Sequence, residues 1–134
     1  MTSRTKKPKI LSLKDAFETE FARREMERRA RDEAERQQQE QDLASAQALH
    51  AAISADGPFL AKRSLSADIR RYTVSLDHQD YRIAAYFEGG KASVTLSDKR
   101  TTHPGSAAPR KQETVESVED ALKVMAHFLA DETR

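Results

Sequence analysis

The sequence predicts an α+β fold in which a long charged helix precedes a three-stranded antiparallel meander, and a final helix packs on one face of that sheet. Three observations support this prediction. Residues 12–55 contain neither glycine nor proline, three later segments alternate apolar with polar residues, and residues 118–129 repeat apolar side chains at helical spacing. A period of two is typical of strands with one buried face, and steps of three and four residues are typical of amphipathic helices.

The first helix is predicted from composition and from signals at both of its ends. Residues 12–55 are rich in Ala, Glu, Arg and Gln, which favour helix. Ser12 followed by Asp15 predicts an N-terminal cap. Asp56-Gly57-Pro58 predicts the end, because glycine tolerates a left-handed cap and proline has no backbone N–H to continue the ladder.

This helix has two apolar stripes separated by a charged segment. Residues 22–42 contain one large apolar side chain, Met26, and are rich in Glu–Arg pairs four residues apart, each contributing about 0.2–0.5 kcal/mol. A heptad with two apolar positions cannot be drawn through them, so a coiled coil over the whole length is not predicted. The N-terminal stripe consists of Ile10, Leu13, Phe17 and Phe21, and the second stripe of Leu43, Ala46, Leu49 and Ile53.

Three strands are predicted from the alternation that follows. Gly89-Gly90 separates the second strand from the third and favours a two-residue turn with positive φ. Residues 59–68 fit either a helix or an edge strand, and residues 98–112 are predicted to form a long loop. The predicted buried face contains Tyr72, Val74 and Leu76, then Tyr81, Ile83, Ala85 and Phe87, and then Ala92, Val94 and Leu96.

The last helix is predicted to begin at Thr114 or Ser117 and to cover the sheet together with the second stripe. We therefore divide the chain into a basic disordered tail (1–11), a helical extension that is first amphipathic and then charged (12–41), and a small α+β domain (42–134). The apolar face of the last helix contains Val118, Ala121, Leu122, Met125, Phe128 and Leu129.

Composition limits the classes of function. The chain has no cysteine, which excludes disulfides and thiolate chemistry. Its apolar runs are far shorter than the roughly 20 residues that span a bilayer, and no apolar segment follows the basic N-terminus as in a secretory signal. We expect a cytoplasmic protein that does not contact a membrane.

Catalytic and metal-binding patterns are not found in the sequence. The four histidines lack the spacing of metal ligands, no glycine-rich phosphate loop occurs, and no serine lies in a nucleophile elbow. The acidic residues of the first helix mostly lie at pairing distance from a base. We expect no enzyme activity, no cofactor and no metal site.

The N-terminal stripe carries the leading hypothesis of function. Two phenylalanines and two aliphatic residues on a helix favour docking into the groove of another protein. The sequence thus predicts a non-enzymatic adaptor or regulatory protein that docks a macromolecular partner or larger assembly, with the charged segment as a spacer. Folding back of the stripe onto its own domain, and a homodimer through the N-terminal helix, remain open.

The alternative hypothesis is nucleic-acid binding through basic residues. The net charge of +1 conceals a basic tail of +4 over residues 1–12. Acidic residues at the start of the last helix, including Glu116 and Glu119, would repel phosphate there. The candidate nucleic-acid contacts are Arg4, Lys6, Lys7 and Lys9 in the tail and Lys99, Arg100, Arg110 and Lys111 in the predicted loop.

Overall fold

The structure, a computed structural model, describes residues 12–100 and 109–133. It confirms an α+β fold with a long N-terminal helix and a C-terminal helix. The predicted disordered tail lies outside the described residues, as does most of the predicted 98–112 loop. The elements are α1 (Leu13–Ser54), α2 (Gly57–Lys62), β1 (Ser66–Arg70), β2 (Thr73–Asp77), β3 (Tyr81–Glu88), β4 (Lys91–Asp98), β5 (Pro109–Val115) and α3 (Val118–Glu132).

The sheet has five strands in the order β1-β2-β3-β4-β5, and each neighbouring pair is antiparallel. The prediction of three strands was therefore wrong, because it missed both edge strands. The three predicted strands form the centre, where Ala85 pairs with Val74 on one side and Val94 on the other. Phe87 is 4% exposed whereas its neighbour Tyr86 is 43% exposed, which confirms the predicted register of β3.

The strand β1 escaped prediction because its turn lacks the usual residues. The ambiguous segment 59–68 divides into α2 and the start of β1. Arg71 and Tyr72 join β1 to β2, and Arg71 has a φ of +52°. Glycine, asparagine or aspartate normally occupies such a left-handed position, so an arginine gives no turn signal.

The strand β5 escaped prediction because its inward-facing residues are mostly charged. Lys111, Glu113 and Val115 lie opposite Leu96, Val94 and Ala92 of β4, and so share the inner face of the sheet. Natural edge strands often carry charges of this kind, which oppose pairing with other chains. The predicted loop 98–112 is thus wrong for Asp98, which ends β4, and for residues 109–112, which belong to β5.

The N-terminal caps of α1 and α3 and the glycine turn follow the predicted chemistry closely. Ser12 Oγ accepts a hydrogen bond from Asp15 N at 3.0 Å, and Ser117 Oγ accepts one from Asp120 N at 3.0 Å. Gly89 and Gly90 have φ values of +62° and +80°, as a primed turn requires. The end of α1 differs from the prediction, because Gly57 opens α2 instead of forming a left-handed cap.

The core lies between the inner face of the sheet and the helices. Ala46, Leu49 and Ile53 of α1 belong to the same buried cluster as the inner strand residues. Four residues of the predicted buried faces are more exposed than expected, because Leu122 is 39% exposed and the other three, Leu43, Tyr72 and Val118, are half-buried. The buried residues of α3 are Ala121, Val124, Met125, Phe128 and Leu129.

The chain divides into two compact units, Met1–Arg36 and Gln37–Arg134. We refer to the second unit as the domain. The predicted boundary between residues 41 and 42 remains a prediction. Within the described ranges, no helix is long and apolar enough to cross a membrane.

Candidate functional site: exposed apolar surfaces

The N-terminal stripe is exposed where the structure describes it. Leu13, Phe17 and Phe21 are 86%, 60% and 51% exposed, while Ile10 lies outside the described residues. The rings of Phe17 and Phe21 stack one helical turn apart, with centroids separated by 5.5 Å and planes inclined by 23°. The two rings therefore form one continuous aromatic surface on the helix.

Ion pairs stabilise the helix beside this stripe. Glu20 accepts hydrogen bonds from both Arg23 and Arg24, and these bonds lower the pKa of Glu20 to about 2. Arg28 bridges Glu25 and Asp32 in the same way along the next turns. Because these contacts are local, the helix gains support that does not depend on burying the apolar side chains of the stripe.

A second apolar surface lies in the domain, where α3, α2 and the end of α1 surround an open cavity of about 460 Å³. Phe59 and Leu122 are 44% and 39% exposed at this surface, which we call the domain groove. The guanidinium of Arg63 lies 5.3 Å from the ring centroid of Phe59, at the rim. Its main apolar lining residues are Ile53, Phe59, Leu60, Leu122, Met125 and Leu129.

These two surfaces account for most of the exposed large apolar side chains. Among the described residues there are seven, and five of them lie on the N-terminal stripe or in the domain groove; Met26 and Tyr86 are the others. Single exposed apolar residues are ordinary on protein surfaces, whereas clusters of them mark interaction sites. The stripe and the groove are therefore the best candidates for binding surfaces.

Sequence reasoning missed a structural role for Asp42. From the sequence we placed this residue at the end of the charged segment and gave it no role, but Asp42 is 5% exposed. It accepts hydrogen bonds from the backbone N–H groups of Gly89 and Gly90, at 2.9 and 3.0 Å, and from Gln38 Nε2 at 3.0 Å. It thereby joins α1 to the β3–β4 turn within the domain.

A signal for this role is present in the sequence. Asp42 lies four residues before Ala46, seven before Leu49 and eleven before Ile53, which places it on the buried face of α1. A Gly-Gly turn also presents two backbone N–H groups close together, and a carboxylate is a strong acceptor for such groups.

The basic residues of the alternative hypothesis lie next to acids. Lys99 Nζ is 2.9 Å from Asp77, and Lys111 Nζ is 2.5 Å from Asp131. Arg100 contacts Asp98 at 3.0 Å, and the backbone N–H and guanidinium of Arg100 hold the pKa of Asp98 below its usual range. These contacts partly neutralise the positive charge that phosphate binding would use.

One acid joins the two arginines of this region. Glu132 is reached by Arg100 at 3.2 Å and by Arg110 at 2.5 Å, and its side chain is only 11% exposed. Lys99 and Arg100 follow the end of β4, whereas Arg110 and Lys111 belong to β5. The structure thus brings together Arg100 and Arg110, but around a carboxylate. Arg4, Lys6, Lys7 and Lys9 lie outside the described residues.

A polar cavity of about 330 Å³ lies near the same region. His78 stacks on Tyr81 with ring centroids 4.6 Å apart, and its Nδ1 accepts a hydrogen bond from Asp80 N. Burial raises the pKa of the Tyr81 phenol. In the described ranges, no three His, Asp or Glu side chains are grouped so as to hold a metal ion.

Comparison with known proteins returned no match to this chain, whether among family models, curated proteins or solved structures.

Proposed function

We propose that this protein is a non-enzymatic adaptor or regulatory protein, and that it docks a macromolecular partner through the N-terminal stripe. The observation that supports this proposal is the exposure of Leu13, Phe17 and Phe21 on one helix, with the two aromatic rings stacked on each other. An amphipathic helix that lays such residues into a groove is a common mode of recognition.

The energetics of burial favour docking. Fully burying a phenylalanine side chain contributes about 1.5–3 kcal/mol. Two phenylalanines and one leucine can therefore supply several kcal/mol once a partner covers them. Part of that gain offsets the ordering of side chains at the interface, and the ion pairs along α1 reduce this cost because they already favour the helical conformation.

The nucleic-acid alternative receives less support from the described residues. Lys99, Arg100, Arg110 and Lys111 each contact an acidic side chain, so binding a phosphate there would first require these pairs to separate. The basic tail is then the remaining candidate contact with nucleic acid. Binding through the tail would weaken steeply with salt, because phosphate contacts release counterions.

The test replaces both stacked rings. Full-length protein carrying Phe17→Ala and Phe21→Ala should lose partners that the wild type retains in a pull-down, while its thermal unfolding transition stays unchanged. The matched control is Met26→Ala, since Met26 is 72% exposed on the same helix but lies off the stripe. If the double variant retains every partner and its oligomeric state, the stripe has no docking role and the proposal fails.

A further inference from the structure

The domain groove connects the hydrophobic core of the domain with its surface. Its lining combines the buried side chains of Ile53, Leu76 and Met125 with the exposed side chains of Phe59 and Leu122. Its volume of about 460 Å³ falls within the range of roughly 300–1,000 Å³ that is typical of small-molecule sites. Such sites are mostly apolar and contain a few polar groups that orient the ligand. The groove therefore has the size and the lining of a site for a small apolar chain.

The two ends of α2 give the groove opposite charges. Asp56 immediately precedes this helix and Arg63 immediately follows it, and both residues line the groove. The guanidinium of Arg63 borders the apolar wall at its end, because it lies against the ring of Phe59. An anionic group is therefore attracted to the Arg63 end of the groove and repelled from the Asp56 end.

The Arg63 end of the groove adjoins the polar cavity described above. Arg63 and Thr133 line both cavities. The acidic Glu132 also borders the polar cavity, but its carboxylate already contacts Arg100 and Arg110. An apolar chamber thus passes directly into a polar one, with a cation at the boundary. The other residues that line the polar cavity are Lys62, His78, Asp80, Tyr81 and Arg100.

Lys62 and Arg63 are available to an incoming anion. Within residues 12–100 and 109–133, neither of these exposed side chains forms an ion pair with a carboxylate. A ligand headgroup that reaches them therefore does not have to separate an existing pair, in contrast to Arg100 and Arg110. A guanidinium also presents parallel N–H donors that match the two oxygens of a carboxylate.

We propose that the domain groove binds a single-chain amphiphile with a carboxylate headgroup, such as a free fatty acid. The apolar chain lies in the groove, and the carboxylate lies at its Arg63 end beside Lys62. A concave apolar site with one cationic end matches a molecule that has one apolar chain and one anionic end. This proposal concerns the domain alone and does not depend on the docking role of the N-terminal stripe.

The first experiment titrates the full chain with decanoate by calorimetry, below the concentration at which decanoate forms micelles. Decanoate should bind saturably at one site, about tenfold more tightly than 1-decanol, because only the acid makes charge-assisted hydrogen bonds. Decyltrimethylammonium should bind more weakly than either. From octanoate to dodecanoate, each added methylene should tighten binding by up to about fourfold until the groove is filled.

The second experiment separates the chain from the headgroup with variants of the full protein. Leu122→Glu places a charge in the apolar lining and should abolish binding of both decanoate and 1-decanol. Lys62→Gln with Arg63→Gln should weaken decanoate about tenfold and leave 1-decanol unchanged, which also shows that the groove is intact. Lys91→Gln is the matched control, since Lys91 is an exposed cation of the domain that does not line the groove.

Three results would overturn the proposal. The first is the absence of saturable decanoate binding, or binding that the Lys62→Gln and Arg63→Gln pair leaves unchanged. The second is loss of decanoate binding in the Phe17→Ala and Phe21→Ala variant, which would place the ligand on the N-terminal stripe. The third is a protein that wild type retains in a pull-down, that Leu122→Glu releases and that decanoate does not displace, since the groove would then dock a protein.

Discussion

Residues 13–36 and the domain use apolar side chains in opposite ways. In the domain, Val74, Ile83 and Val94 are fully buried at neighbouring positions of three central strands. In residues 13–36, which we call the first region, Leu13, Phe17 and Phe21 recur just as regularly but remain exposed. A periodic apolar pattern therefore identifies the face that is available for burial, and it does not by itself identify what will cover that face.

The two regions also differ in what stabilises them. The first region depends on pairs of charged residues within a few positions of each other, such as Glu20 with Arg23. The domain depends on contacts between residues distant in sequence, such as Asp42 with Gly89. Substitutions in the domain should therefore lower the free energy of unfolding, while those in the first region should chiefly affect association.

The largest decrease in the free energy of unfolding is expected from Phe87→Ala. Phe87 is buried on the inner face of β3, so its removal leaves a cavity and should lower the free energy of unfolding by about 3–5 kcal/mol. Tyr86→Ala is the matched control, because Tyr86 is adjacent but lies on the outer face of the sheet. Urea denaturation measures both variants, and a loss below about 1 kcal/mol for Phe87→Ala would contradict the observed register.

Asp42→Ala should have the next largest effect. It removes the acceptor for the N–H groups of Gly89 and Gly90, and hydrogen bonds to a charged group contribute about 1.5–3 kcal/mol. We expect a loss of about 2–3 kcal/mol on the same reasoning. Asp32→Ala, at an exposed carboxylate of the same helix, should leave the urea midpoint nearly unchanged. Equal losses for both variants would show that Asp42 is not specifically coupled to the turn.

The free energy of unfolding of the domain should depend on pH in part through the carboxyl group of Asp77. Burial raises the pKa of this carboxyl, but hydrogen bonds from Lys99 and Arg82 outweigh burial and lower it overall. A lowered folded-state pKa stabilises the protein above the unfolded value of about 3.9, and that stability is lost as pH falls through the folded-state pKa.

Unfolding free energies measured at about pH 6 and about pH 3 provide the test. Asp77→Asn should lower stability at the higher pH and reduce the difference between the two conditions. Asp68→Asn, at an exposed carboxylate in β1, should behave as wild type. A pH dependence that is unchanged in Asp77→Asn would contradict the assignment.

The smallest effect is expected from removing the first region. A fragment comprising residues 37–134 keeps Gln38, Asp42 and the whole buried cluster, so its thermal transition in dilute solution should match that of the full chain. A fragment starting at Asp42 lacks residues 37–41, and with them the hydrogen bond from Gln38 to Asp42, and should melt slightly earlier. Loss of the cooperative transition in the longer fragment would show that the first region is part of the domain core.

Sequence reasoning identified the centre of the fold and missed its edges for physical reasons. The three central strands alternate cleanly because one face packs on the core and the other faces solvent. The strand β5 has only Val115 as an apolar residue on its described inner face, and β1 is joined to β2 through a left-handed arginine. Edge strands need less burial and must discourage pairing with other chains, so their patterns are weaker.

The candidate binding surfaces also differ in how far the sequence predicts them. The N-terminal stripe could be predicted because its residues are close in sequence and share one helical face. The domain groove could not, since Ile53, Phe59 and Leu122 come from three elements whose packing no local pattern reports. The role of the Asp42 carboxylate was likewise not predicted, because its partners Gly89 and Gly90 lie more than forty residues away in the sequence.

The most direct test of the central claim follows the stripe itself. The chain has no tryptophan, so Phe17→Trp introduces a single fluorescent reporter whose emission depends on exposure to water. Titrating this variant with a partner that the wild type retains in a pull-down should shift its emission to shorter wavelength as the partner covers residue 17. The control Met26→Trp should shift far less. Emission from Phe17→Trp that stays at the wavelength of a water-exposed indole throughout the titration would contradict the claim.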